Sequence, residues 1–119
     1  MSDAAAAEAG LPRAYLRTVL LVLVAEGPTH GYELLEAARA LGMRLNDPGG
    51  LYRTLRTLEH EELLASWWED SSTGPPRRTY ELTAAGRAAL AETLETIRGR
   101  VALLSNLLEH ARSHDLIDR

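Results

Sequence analysis

The 119-residue chain has no cysteine, and its basic residues are all arginine, with no lysine among them. Without cysteine there are no disulfides, no thiolate nucleophile and no Cys-ligated zinc site, which fits a cytoplasmic chain. Long apolar runs are also missing. The longest, Val19 to Ala25, falls far short of the roughly 20 residues that a bilayer span requires. It also lacks the small-residue cleavage site of a secretory signal. Neither a membrane partner nor export is expected.

Catalytic patterns are missing too. Gly49-Gly50 follows Pro48 at a helix start and lacks the spacing of a phosphate loop. Serine, histidine and acidic residues occur, but none in the context of an activated nucleophile. His110 and His114 stand four apart on one helix and could share a metal, yet such a pair near a helix end is more commonly just solvated. No metal, no cofactor and no enzymatic activity are expected.

Two hydrophobic periods organise what is present. Pro12 suits the first turn of a helix reaching Ala25, apolar nearly all round and so a buried element. Thr29 reads as the cap of a second helix to about Leu41, with Tyr32, Leu34, Leu35, Ala38 and Leu41 inward and Gly42 as its stop. Met43-Arg44-Leu45 reads as a link that could supply a short first strand. Asn46 or Asp47 caps a third helix with Pro48 at its first position. Leu51, Leu55 and Leu58 share its core face, and Gly49, Arg53, Arg56 and His60 fall opposite.

Strands of about 64–70 and 77–82 then flank Ser71-Ser72-Thr73-Gly74-Pro75-Pro76, a segment that can only turn. Their alternation places Trp68 on the core side, opposite Tyr80 and Leu82, and turns Trp67 outward. Trp67 would cover a partner subunit, rim a ligand pocket or pack on a neighbouring helix.

Thr83 caps the last helix. There Leu90, Leu94, Ile97, Val101, Leu104, Leu108 and Ala111 recur at alternating spacings of four and three, an unbroken heptad seam. Leu103 and Leu107 widen it. At roughly 1.5–3 kcal/mol per fully buried Leu or Ile, such a stripe is not left wet. A second copy of the chain is the economical cover, and folding back onto its own domain is the alternative.

The expected architecture is therefore mainly α with a small β-hairpin, a winged helix-turn-helix plus a long C-terminal dimerisation helix. It divides into a disordered leader over 1–10, the winged domain over 11–83 and the dimer helix over 84–119. A short arginine-bearing helix backed by a hairpin with arginines near its tip suits duplex DNA, the helix in the major groove and the tip on a phosphate strand. Glycines at the helix start, Gly49 and Gly50, would admit close approach of a backbone. Arginine is also the side chain suited to bidentate guanine and phosphate contacts. Charge argues the other way. The net charge is −4, and residues 28–82 set six arginines against nine carboxylates, which argues against a nonspecific DNA coat and makes any positive field local. Arg53 and Arg56 could simply solvate an exposed face, and a winged helix acting as a protein-binding adaptor is the rival reading.

Three stretches resemble one family. His30-Gly31-Tyr32-Glu33-Leu34, then Gly50-Leu51-Tyr52-Arg53-Thr54-Leu55 running to Leu58-Glu59, then Gly74 through Arg77-Arg78-Thr79-Tyr80-Glu81-Leu82-Thr83 to Gly86 resemble the PadR family of bacterial transcription regulators, over residues 14–110. The resemblance implies a winged-helix homodimer, of the small subclass with one C-terminal dimer helix. Such a protein usually represses a nearby gene from a pseudo-palindromic operator, and many release DNA when a small molecule or other signal is sensed. It also implies that Tyr52 and the start of the third helix approach DNA and that Arg77 and Arg78 form the basic wing. Two departures stand out. Glu62 occupies a position where the family commonly has glycine in a left-handed turn; either glutamate accepts that geometry at a cost of roughly 1 kcal/mol or the turn is different. The last helix carries no aromatic residue, which leaves Trp67 as the sole candidate for an aromatic ligand wall.

Overall fold

A computed structural model describes residues 10–118. The expected leader lies almost wholly in residues 1–9, outside the described residues. Pro12 leads into a single 3-10 turn, Arg13–Tyr15, before helix α1, Leu16–Ala25. Strand β1, Thr29–His30, runs directly into α2, Gly31–Ala40. Helix α3, Gly49–His60, precedes the hairpin of β2, Leu64–Ser71, and β3, Gly74–Leu82. The long helix α4, Ala84–Ser113, closes the order. The three strands form one antiparallel sheet in the order β1-β3-β2. This is a winged helix-turn-helix with a long C-terminal helix.

The core is built of leucine and valine from every helix. Leu20, Leu34, Leu51, Leu55 and Leu58 are all but sealed from water, and Leu64, Tyr80 and Leu82 close the sheet side. The Leu51–Leu55–Leu58 stripe thus does what its period requires. Asp47 Oδ1 accepts the Gly49 N–H at 3.0 Å, and the Tyr52 N–H bonds to the Pro48 carbonyl. Asp47 therefore closes an Asx turn just ahead of α3, and Pro48, not Asn46 or Asp47, holds the cap position.

Several expectations are corrected. Thr29 is not a helix cap: it pairs with Tyr80 in β1, while its hydroxyl reaches Glu33 Oε2 at 3.0 Å. Pairing with β3 draws its backbone into the sheet, so α2 starts one residue later than expected, at Gly31, with an extended His30 in the cap position. Residues 43–45 are not the first strand. Met43 makes only an isolated bridge to Leu11, and Met43 and Leu45 are core residues. Tyr32 and Leu41 do not share the inner face of α2, since both are exposed. Trp68 faces the same side as Tyr80 and Leu82, but opposite Arg78 and past the rim of the core, where it is 65% exposed. The hairpin outruns the helices beneath it.

The ends of three helices share one device. A residue with positive φ ends each: Gly42 at 103°, Glu62 at 62° and Asp115 at 56°. In each case the next N–H reaches back five residues, Met43 to Ala38, Leu63 to Leu58 and Leu116 to Ala111, the Schellman closure. Glu62 holds the left-handed geometry that the glycine comparison required. At the N-terminus of α4, Thr83 Oγ1 accepts the Gly86 N–H at 2.9 Å and donates to the Glu62 carbonyl at 2.7 Å. One hydroxyl thus fastens the long helix to the end of α3. Gly86 is required there, because a Cβ would overlap the Leu63 carbonyl oxygen.

With 30 residues, α4 spans about 45 Å. Of its heptad seam, Leu90 is buried and Ile97 half-buried, while Leu94, Val101, Leu104 and Leu108 are exposed. Among the described residues no helix is long and apolar enough to cross a membrane.

Candidate nucleic-acid interface

Burial of its leucine stripe fixes the opposite side of α3 toward solvent. Tyr52, Arg53, Arg56, Thr57 and His60 are exposed there, and Gly49 lies half-buried at its start. Gly50 departs from the expected placement. It is buried, and the Arg13 guanidinium occupies the space a Cβ would need. It therefore admits Arg13 and not a DNA backbone.

Tyr52 is held by an unexpected neighbour. A Cβ on Gly31 would come within 2.5 Å of the Tyr52 ring, so the glycine of the His-Gly-Tyr element allows the first turn of α2 to meet α3. The signal was present in the sequence, but nothing in it pointed to Tyr52 as the partner.

The two wing arginines have different fates. Arg78 donates to Glu59 Oε2 at 3.1 Å, and its guanidinium lies 5.4 Å from the Trp68 ring centroid. Glu59 also accepts from the Ser66 hydroxyl at 2.7 Å. Arg78 thus binds the hairpin back to α3 through a half-exposed pair, worth at most about 1 kcal/mol by itself. Arg77 is exposed and makes no ion pair among the described residues. Its cross-strand neighbour Glu69 is instead engaged by the buried Thr79, whose hydroxyl donates to Glu69 Oε2 at 2.6 Å. Having spent its proton there, the Thr79 oxygen accepts from His30 Nδ1 at 3.1 Å. A His30–Thr79–Glu69 chain therefore crosses all three strands.

Between α3 and the wing lies an open cleft of about 520 Å³, lined by Tyr52, Arg56, Glu59, His60, Arg78 and Tyr80. Burial pushes the Tyr80 phenol above its ordinary pKa, with Arg78 opposing. Trp67 is not part of this lining; it stands across from Thr79 on the other face of the sheet. At the far end of α3, Arg17 of α1 grips Glu61 through two bonds of 2.8 and 2.5 Å. That hydrogen bonding holds the Glu61 carboxyl below the usual carboxylate range. Arg17, Arg39, Arg78, Arg98 and Arg112 take up the ion pairs among the described residues. Of the arginines in none of these pairs, Arg13, Arg53, Arg56 and Arg77 sit around the outer face of α3 and the wing, whereas Arg44 lies in the loop before α3 and Arg87 and Arg100 on α4. His110 and His114 stack 4.4 Å apart at the end of α4, and no cluster of three or more metal-ligating side chains occurs among the described residues.

The family model for the transcriptional regulator PadR-like family matches residues 19–92, which contain α2, α3 and the wing. The chain belongs to this family. It is 41% identical over 80 residues to the transcriptional regulator Rv3488 of Mycobacterium tuberculosis, covering 67% of this chain and 73% of that one. Among solved structures, a PadR family transcriptional regulator from Eggerthella lenta superposes with a TM-score of 0.69 at 29% identity, over 82% of this chain and 84% of that one. A PadR-like regulator from Bacillus cereus gives 0.73 at 26%, over 81% and 93%. As a family member the chain is a transcription regulator and not an enzyme, and DNA binding is a property of the family.

Proposed function

We propose that the protein is a homodimeric repressor that places α3 in the major groove of a pseudo-palindromic operator and Arg77 of the wing on the flanking phosphates. The observation that carries this reading is the sorting of arginines. On an acidic chain, Arg53 and Arg56 on the exposed face of α3 and Arg77 on the wing stay out of the ion pairs among the described residues and concentrate charge on one side, while Arg44, Arg87 and Arg100, also outside those pairs, are dispersed over the loop before α3 and over α4. Arg56, beside Tyr52 in the cleft, is the base reader. The seam from Leu90 to Ala111 supplies the dimer contact, bringing two copies of α3 to half-sites roughly 34–36 Å apart, or a multiple of that. Repression is relieved by a small molecule or another signal. An apolar groove of about 370 Å³ between α1 and α4, lined by Val19, Val22, Leu94, Ile97 and Val101 among others, suits such a ligand better than Trp67 does.

The test is a gel shift on the promoter of its own gene at several salt concentrations. Arg77→Ala should weaken all sequences alike and reduce the salt slope by about 0.9 per lost phosphate contact. Arg56→Ala should change which sequences bind, by roughly 1–3 kcal/mol at the base it reads. The net charge of −4 favours an adaptor that binds protein, and that reading requires no salt-sensitive shift at all.

A further inference from the structure

Arg13 belongs to the 3-10 turn ahead of α1, far in sequence from α3. Yet its guanidinium lies directly over Gly50, in the first turn of that helix. Arg53 arrives at the same place from the other side. Its Nη1 is 3.1 Å from where a Cβ on Gly49 would stand, and its Nη2 is 3.7 Å from the corresponding point on Gly50. Together with Arg17, Thr54 and Thr57 they line an open cleft of about 450 Å³ between the start of α1 and α3.

The charges of this cleft are unbalanced. Arg17 is neutralised by its two bonds to Glu61. Asp47 is the carboxylate at the Gly49 end, but it accepts the Gly49 N–H and forms no ion pair with either arginine. The threonine hydroxyls are also committed, Thr54 to the Gly50 carbonyl and Thr57 to that of Arg53. Among the described residues the two guanidiniums therefore converge with no carboxylate in ion-pair contact with either, and like charges held together repel unless an anion is supplied. A convergent pair of forks matches the oxygens of one phosphate; reading a base edge asks for a single side chain standing out along the groove.

We infer that Arg13 and Arg53 form a phosphate clamp on the α1 side of α3. The inference rests on the DNA-binding reading above and refines it. The clamp and Arg77 then flank the helix on opposite sides, as the two phosphate walls flank a helix in a major groove about 12 Å wide. Arg53 is accordingly a backbone contact, and sequence reading is left to Arg56 and its neighbours.

Backbone contacts do not depend on sequence, so the clamp can be tested without the operator. The full chain is titrated with a fluorescein-labelled, mixed-sequence duplex of about 25 base pairs, by anisotropy, between about 50 and 200 mM salt. Arg13→Gln keeps the stem over Gly50 and removes the charge. It should lower the salt slope by about 0.9 per subunit, with Arg13→Lys retaining most of it and Arg17→Gln leaving it unchanged. Circular dichroism melts establish that each variant is folded. A wild-type slope in both Arg13→Gln and Arg53→Gln would overturn the clamp and leave the DNA-binding reading standing. If the wild-type chain shows no salt-dependent binding to this duplex, the clamp falls, and the operator reading is decided separately by the gel shift on its own promoter.

Discussion

Leucines in α3 and in the outer part of α4 are equally regular and meet opposite fates. Leu51, Leu55 and Leu58 are 0% exposed, whereas Leu103, Leu104, Leu107 and Leu108 are 54–69% exposed. Both helices carry a stripe of the right period, so the difference lies in what stands opposite. The first stripe has α1 and the sheet against it. The second extends beyond the winged core, in a molecule 59 Å long and 20 Å thick, and among the described residues nothing of its own chain covers it. Helical pattern therefore prescribes a buried face without saying which chain buries it.

That contrast can be broken most forcefully at the outer seam. Replacing Leu104 and Leu108 by Asp should convert a concentration-dependent melting temperature into a lower, concentration-independent one. Analytical ultracentrifugation should then show single chains. Leu55→Ala should cost about 2–5 kcal/mol whatever the oligomeric state, because its contacts are internal. If the Leu104/Leu108 variant remains dimeric, the seam is not the interface. At the joint between the two regions, Gly86→Ala forces a methyl against the Leu63 carbonyl and should destabilise by about 1–3 kcal/mol in urea melts. Glu62→Gly should stabilise by about 1 kcal/mol, since it relieves a left-handed residue while keeping the Schellman bonds.

The smallest effect is one of pH. Glu61 has its carboxyl lowered by the bond to Arg17, so its contribution to stability is complete above the ordinary carboxylate range. It is lost as pH falls through the depressed value. Glu61→Gln should flatten that part of the acid limb in melts between neutral and acidic pH, and an unchanged limb would show the pair to be inert.

The helical stripes, the Thr83 cap and the hairpin were legible because each is written within a few residues, whereas the left-handed turn at Glu62 was suggested only by the family's glycine there. Strand β1 was not. Two residues pair with β3 fifty positions away, and Thr29 carries the same local signature as a helix cap. Trp68 was placed on the right face but in the wrong environment, because alternation gives direction and not the distance to which the core extends. Arg13 was missed for a similar reason: its place beside Arg53 exists only once α1 packs on α3. The separation of Arg77 from Arg78 likewise depends on Glu59, whose reach across to the hairpin no spacing rule announces.

The bond from Arg78 to Glu59, seconded by Ser66, has a consequence for how rigidly the molecule would meet a partner. It ties the hairpin to its neighbouring helix and so restrains the angle between the two prongs. A target of matching curvature is then met with little loss of freedom on docking, while one of different shape must itself bend. Loosening the brace, as in Glu59→Gln, would exchange selectivity for tolerance.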